Sequence, residues 1–196
     1  MRNAILLLAA LLPLVQGCAP VLIGGAAATG VLVAEDRRTV GILTEDQTIE
    51  VKASNRVGDS LKGGAHVNVT SYNRVLLLTG EVPDAASKER AAQVARSVEN
   101  VRSVHNELVV MGVTPMSSRT NDTIITSKVK ARFVDAAKFS PVHVKVVTEN
   151  GVVYLMGLVK KQEAADATDV ARTTSGVLKV VRLFEYIDEP AAAATK

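Results

Sequence analysis

Two kinds of hydrophobic spacing alternate along most of the chain. Apolar residues three and four apart at Ile49, Ala53, Val57 and Leu61 predict an amphipathic helix over 46–62, and Ile125, Val129 and Phe133 predict a second over 122–138. Each is followed by alternation with period two, at Val67 and Val69 and again at Val144 and Val146, the signature of a strand with one covered face. Asn73 in one case and Asn150-Gly151 in the other mark a turn into a further strand, the Asn-Gly pair being the stronger hairpin signal. Helices are then predicted over Ala85 to Val98, with Asp84 as N-cap, and over Gln162 to Thr173. Final strands follow over Val104 to Val110 and Leu178 to Tyr186.

The order αββαβ therefore occurs twice, and the residues themselves repeat. Asn73 to Gly80 reads NRVLLLTG and Asn150 to Gly157 reads NGVVYLMG; Val94-Ala95-Arg96 matches Val170-Ala171-Arg172, at a spacing of 76 to 77 residues throughout. Each unit spans about 65 residues, close to the lower limit for an independent core, so the two are expected to pack together or to be modestly stable. The predicted class is α+β: two tandem modules, each a three-stranded mixed sheet covered by two helices. Gly112 to Thr120, containing Pro and Ser, reads as the connector, and the Ala-rich stretch from Pro190 to Lys196 as a frayed tail.

The N-terminus follows another logic. Arg2 is the only charged side chain before Glu35, and Ala4 to Val15 is an apolar run too short to span a bilayer comfortably but suited to the core of a signal peptide. A single signal-anchor helix over Asn3 to Ala34 is the alternative, and Pro13, Pro20, Gly24, Gly25 and Gly30 weaken it. Those glycines lack the spacing, the preceding strand and the Lys-Ser/Thr pair of a phosphate loop. Val15-Gln16-Gly17-Cys18 resembles the bacterial lipoprotein signal, with Gln16 an unusual choice before the Gly-Cys pair. That resemblance implies cleavage after Gly17, lipidation of Cys18 and a three-chain acyl anchor, durable because each buried methylene contributes about 0.8 kcal/mol. Ala19 in place of Asp implies the periplasmic face of the outer membrane.

VLLLTGEV at Val75 to Val82, VVYLMGLV at Val152 to Val159 and VARSVENVRSVHNEL at Val94 to Leu108 resemble tandem BON domains. With the lipobox and DRRTVG at Asp36 to Gly41, the chain is similar throughout to the dual BON-domain outer-membrane lipoproteins, the DolP/YraP-like group. Gly80 and Gly157 are that family's most recognisable positions, structural glycines where a side chain would obstruct a tight strand exit or a close approach. The second copy departs at Arg182, where the family usually has Asn. The resulting layout is a signal peptide at 1–17, a lipidated N-terminus and tether at 18–44, BON domains at 45–111 and 121–188 joined by a linker at 112–120, and a tail at 189–196.

Charge and chemistry narrow the function. The formal net charge of +3 and the scarcity of aromatics exclude a nucleic-acid surface, and a single Cys excludes an internal disulfide. His66, His105 and His143 are isolated in sequence, with no metal-ligand spacing and no nucleophile motif, so neither an enzyme, a metal site nor a cofactor is expected. Asp46 to Val110 carries eight acidic and eight basic side chains, whereas Asp122 to Asp188 carries eight and ten. That excess gathers at Lys128, Lys130 and Arg132, with Lys138 beyond, on a helix whose core face is Ile125, Val129 and Phe133. Such a face is ordinarily only solvated. By resemblance, the second BON domain binds anionic phospholipid through this region, with Phe139 the candidate for shallow insertion and Val134 beside it. The function implied is a non-catalytic outer-membrane lipoprotein that supports envelope integrity, with enrichment at the division site. The alternative is a periplasmic protein-interaction module contacting an outer-membrane assembly component.

Overall fold

The structure, a computed structural model, describes residues 35–61 and 63–187; Cys18, the signal peptide, residues 18–34 of the tether and the tail lie outside them. Contacts divide the chain at Asp36, and all the elements below belong to the unit from Arg37 onward. The first module runs α1 (Val40–Ser60), β1 (His66–Tyr72), β2 (Val75–Val82), α2 (Ala85–Arg96), β3 (Ser103–Asn106) and β4 (Val109–Val110). The second runs α3 (Met116–Ala136), a 3-10 turn (Pro141–His143), β5 (Val144–Glu149), β6 (Val152–Val159), α4 (Lys161–Arg172) and β7 (Lys179–Tyr186).

In each module the first two strands form an antiparallel hairpin, and the last returns through a helix to lie parallel to the second. The β6–β7 ladder is continuous from Val152↔Lys179 to Val159↔Tyr186, whereas Glu107 and Leu108 divide its counterpart into β3 and β4, with Leu108 buried in the core. Both first helices begin earlier than the apolar spacing predicts. Thr39 caps α1, its Oγ1 accepting from the Ile42 N–H at 3.3 Å, seven residues before Asp46, the first buried position. α3 starts at Met116, well inside the predicted connector. A first turn that overhangs the sheet carries no core residue, so hydrophobic spacing does not register it.

Each hairpin turn has two successive positive-φ residues, Asn73 (50°) and Arg74 (64°) in the first, Asn150 (50°) and Gly151 (74°) in the second. That is the type I′ geometry matching strand twist. A carboxylate on the preceding helix clamps each turn. Asp46 accepts from the Asn73 and Arg74 N–H groups at 2.8 and 2.7 Å, from Ser71 Oγ at 2.7 Å and from Arg38 at 2.9 Å. Asp122 accepts from the Asn150 and Gly151 N–H groups, both at 2.8 Å. A Cβ at Gly80, where φ is 113°, would strike the His66 carbonyl oxygen, and one at Gly157 would strike that of His143.

The docking of the modules, which sequence left undecided, is sheet against sheet. Leu76, Leu78 and Val82 of β2 face the helices of their own module, with Ile49, Ala53, Val57, Ala91 and Ala95. Val75 and Leu77 point the other way, into a cluster with Tyr72, Tyr154 and Met156. Every residue of β2 is consequently buried, and its near-continuous apolar run is the expected pattern for a strand covered on both faces. Burial pushes the Tyr154 hydroxyl up to about 12, with Glu107 and Glu149 adding to the effect. Polar contacts ring the junction. Lys145 pairs with Glu50 at 2.6 Å, Arg102 with Glu185 at 2.9 Å, and Asn73 Nδ2 donates to Glu185 at 3.0 Å.

Candidate functional site

The sequence directs attention to α3. Asp122, Ile125, Val129 and Phe133 form its inner face, three or four residues apart, and hold it against the second module's sheet and α4. Its outer side carries Ile124, 48% exposed, then Lys128, Ala131 and Val134, the last 64% exposed. Ile124 and Val134 thus lie on the solvent side of a helix whose apolar requirement is already met inside, as Val40 and Val51 do on α1. No helix among the described residues is long and apolar enough to cross a membrane.

The residues proposed from sequence fall into three groups. Lys128, Lys130 and Val134 are exposed, and among the described residues Lys128 and Lys130 make no ion pair. Lys138 is exposed but engaged, its Nζ 3.2 Å from Asp166 on α4. The Asp166 carboxyl is held below its ordinary range chiefly by the Gln162 side chain and then by Lys138. Arg132 and Phe139 are corrections. Arg132 Nη1 donates to the Val170 carbonyl at 3.0 Å and to Thr174 Oγ1 at 2.9 Å, so its charge caps the C-terminal end of α4 rather than facing outward. Phe139 is only 8% exposed and packs edge-on against Phe133, ring centroids 5.0 Å apart at 71°. Phe139 belongs to the core because the left-handed turn at Ala137 folds the chain back beneath α3.

Sequence reasoning missed a strap ahead of α1. Arg37 donates to both Glu163 oxygens at 2.6 and 2.8 Å and to the Leu158 carbonyl at 2.7 Å, tying the first module's entry to the second module. Glu163 is held below the ordinary carboxylate range chiefly by that hydrogen bond, with the Lys160 N–H and the Arg37 and His143 charges assisting. Next to it, the Arg38 guanidinium lies 3.9 Å from the centre of the Tyr72 ring while bonding Asp46. The only sequence signal was two arginines in a row before a helix, which reads equally as solvated charge. The Asp46 and Asp122 clamps were also passed over, although they sit 76 residues apart, the repeat's own spacing.

His66, isolated in sequence, is brought beside Glu81 and Glu149, with donor atoms of all three within 4.8 Å of one another. His66 and Glu149 line a cavity of about 460 Å³ between the modules, whose wall also includes Arg119, Lys130, Thr126 and Thr148.

Comparison with known proteins fits this architecture. Residues 45–112 and 121–188 each match the BON domain family. Over 175 residues the chain is 38% identical to the outer membrane lipoprotein DolP of Haemophilus influenzae, covering 88% of this chain and 90% of that protein. It is 35% identical over 146 residues to osmotically-inducible protein Y of Escherichia coli, covering 72% of each chain. It is 30% identical to the 21 kDa hemolysin of Actinobacillus pleuropneumoniae, covering 78% of this chain and 79% of that one.

Proposed function

The chain belongs to the BON-domain family, and from that premise we propose that it is a lipid-anchored envelope protein whose second module meets anionic phospholipid through the outer side of α3. As a family member it is non-catalytic, and its relationship to an outer membrane lipoprotein supports a membrane-associated role in the envelope. The observation that carries the finer reading is the strip Ile124, Lys128, Ala131 and Val134, exposed on a helix whose core face is already satisfied. Acyl chains on Cys18 would keep the protein at the membrane persistently. A weak, charge-selective contact by α3 then selects where it sits, since a tethered second site needs little affinity of its own.

Each basic side chain near an anionic surface contributes about 1 kcal/mol, so Lys128→Glu, which removes one attraction and adds one repulsion, should weaken binding by roughly tenfold or more. Co-sedimentation with phosphatidylglycerol and phosphatidylcholine vesicles at two salt concentrations tests this. Selective, salt-sensitive binding to phosphatidylglycerol, lost in Lys128→Glu and reduced in Ile124→Ser/Val134→Ser, supports the reading. Binding indifferent to lipid charge or to these substitutions removes it.

One observation favours a protein partner as the second reading. Val109, Val110, Met111 and Val113 are consecutive or nearly so, all exposed, and β4 pairs only with β2 among the described residues, leaving an apolar strand edge. Such an edge can accept a further strand.

A further inference from the structure

We propose that His66, Glu81 and Glu149 form a divalent-cation site of the zinc type that joins the two modules. His66 and Glu81 are cross-strand partners in the first module's hairpin, and Glu149 ends β5 in the second. Their donor atoms lie within 4.8 Å of one another. Bonds of roughly 2.1 Å in tetrahedral geometry place ligand atoms about 3.4 Å apart, so small side-chain rotations would close the set around one ion.

Charge is the first argument. Glu81 is fully buried and Glu149 is 6% exposed, yet among the described residues neither has a Lys or Arg within ion-pair distance. Their partners are neutral: Asn150 Nδ2 at 2.6 Å and Thr114 Oγ1 at 3.0 Å for Glu81, and Asn68 Nδ2 at 2.7 Å for Glu149. Buried carboxylates that share a site require a counter-charge, and neutral donors do not supply one. Arg119 and Lys130 stand in the cavity wall without reaching either carboxylate.

The repeat supplies the second argument. Shifted by its 77-residue spacing, His66 and Glu81 correspond to His143 and Leu158, and Glu149 corresponds to Tyr72. At that other end of the junction the Tyr72 hydroxyl donates to the His143 carbonyl at 3.3 Å and accepts from the Leu158 N–H at 3.4 Å. At the positions equivalent to Glu149 and Glu81 the fold therefore uses a tyrosine and a leucine, and the carboxylate nearby, Glu163, is matched by Arg37. Packing does not demand a buried carboxylate at position 81; the two glutamates and a histidine at this end alone make a ligand set.

Donor chemistry selects the ion. One imidazole with two carboxylates suits Zn²⁺ and its first-row neighbours, whereas Mg²⁺ and Ca²⁺ prefer oxygen alone. Asn68, donating to Glu149 and 3.2 Å from the His66 ring, would orient two ligands from behind. The cavity gives the ion access and room for water in the remaining position. Because ligands come from both modules, the ion would act as a clamp on their docking.

The test is calorimetric titration of Zn²⁺, and separately Mg²⁺, into the full chain in detergent micelles after chelator treatment, with thermal unfolding followed in parallel. The expected result is one Zn²⁺ per chain, no comparable Mg²⁺ binding, and a melting temperature that rises with Zn²⁺ and saturates. Glu149→Gln and His66→Gln should each weaken Zn²⁺ binding at least tenfold and remove the melting shift, while His105→Gln, on exposed β3 surface, leaves both unchanged. If Glu149→Gln does not fold, His66→Gln alone decides, because that residue is only partly buried. Absence of saturable Zn²⁺ binding, unchanged affinity in His66→Gln, or loss in His105→Gln overturns the proposal.

Discussion

Replacing Asp46 by Ala should destabilise the protein far more than replacing Asp122, although the two occupy the same place in the repeat. Both carboxylates are buried, but Asp46 accepts from two turn N–H groups, the Ser71 hydroxyl and the Arg38 guanidinium, whereas among the described residues Asp122 accepts from the two N–H groups alone. Leaving a buried donor without its acceptor costs about 1–3 kcal/mol, and Asp46 serves the Ser71 hydroxyl and the Arg38 guanidinium besides the two turn N–H groups, so the expected loss is roughly 3–5 kcal/mol. For Asp122→Ala the same reasoning yields about 2 kcal/mol. In a folded unit of this size each kcal/mol moves the melting temperature by roughly 2–4 °C, so the two variants should melt several degrees apart. Urea unfolding, with midpoint and slope fitted separately, reads the free energies directly. An Asp46→Ala variant within about 1 kcal/mol of wild type, or an Asp122→Ala variant equally damaged, would refute the assignment of the clamp's strength to its extra partners.

Further outcomes follow from the same contacts. Glu163 has its carboxyl held down by Arg37, so its contribution is fully present above the ordinary carboxylate range and is lost as pH falls through the lowered folded value; the urea-midpoint gap between wild type and Glu163→Gln should shrink from pH 7 to pH 3, and a constant gap contradicts the strap. Gly80→Ala meets both a positive φ and the His66 carbonyl, and should cost about 3 kcal/mol or prevent folding, read by melting temperature against the permissive Gly58→Ala within α1, which has open space around it. Arg132→Ala should lower stability by about 1–2 kcal/mol through the loss of its contacts with Val170 and Thr174. At temperatures where it is folded, its vesicle binding should remain within about twofold of wild type; a loss comparable to Lys128→Glu would return Arg132 to the outer face.

Much of the fold was legible because its signals are local. Ile49, Ala53 and Val57 declare a helical face by spacing alone, Asn150-Gly151 declares a turn by its conformational tolerance, and Asp84 declares a helix start, its carboxylate accepting from the Ser87 N–H at 2.7 Å. The site was legible only in part. Spacing on α3 separated the core face from Lys128 and Val134, but it could not tell an outward-facing arginine from one turned onto a neighbouring helix end. Arg132 and Phe139 were decided by where α4 lies and by the left-handed residue Ala137, neither of which has a signature in the periodicity of α3.

What this sequence determines by itself is the repeated αββαβ order, the class and the approximate helix faces, since each depends on interactions a few residues apart and on two copies that echo one another. Only the tertiary structure decided that the modules dock sheet to sheet, that Arg37 straps one to the other, and that His66 meets Glu81 and Glu149. Those contacts join residues up to 126 positions apart and break the symmetry between copies, so each depends on how two completed sheets come together.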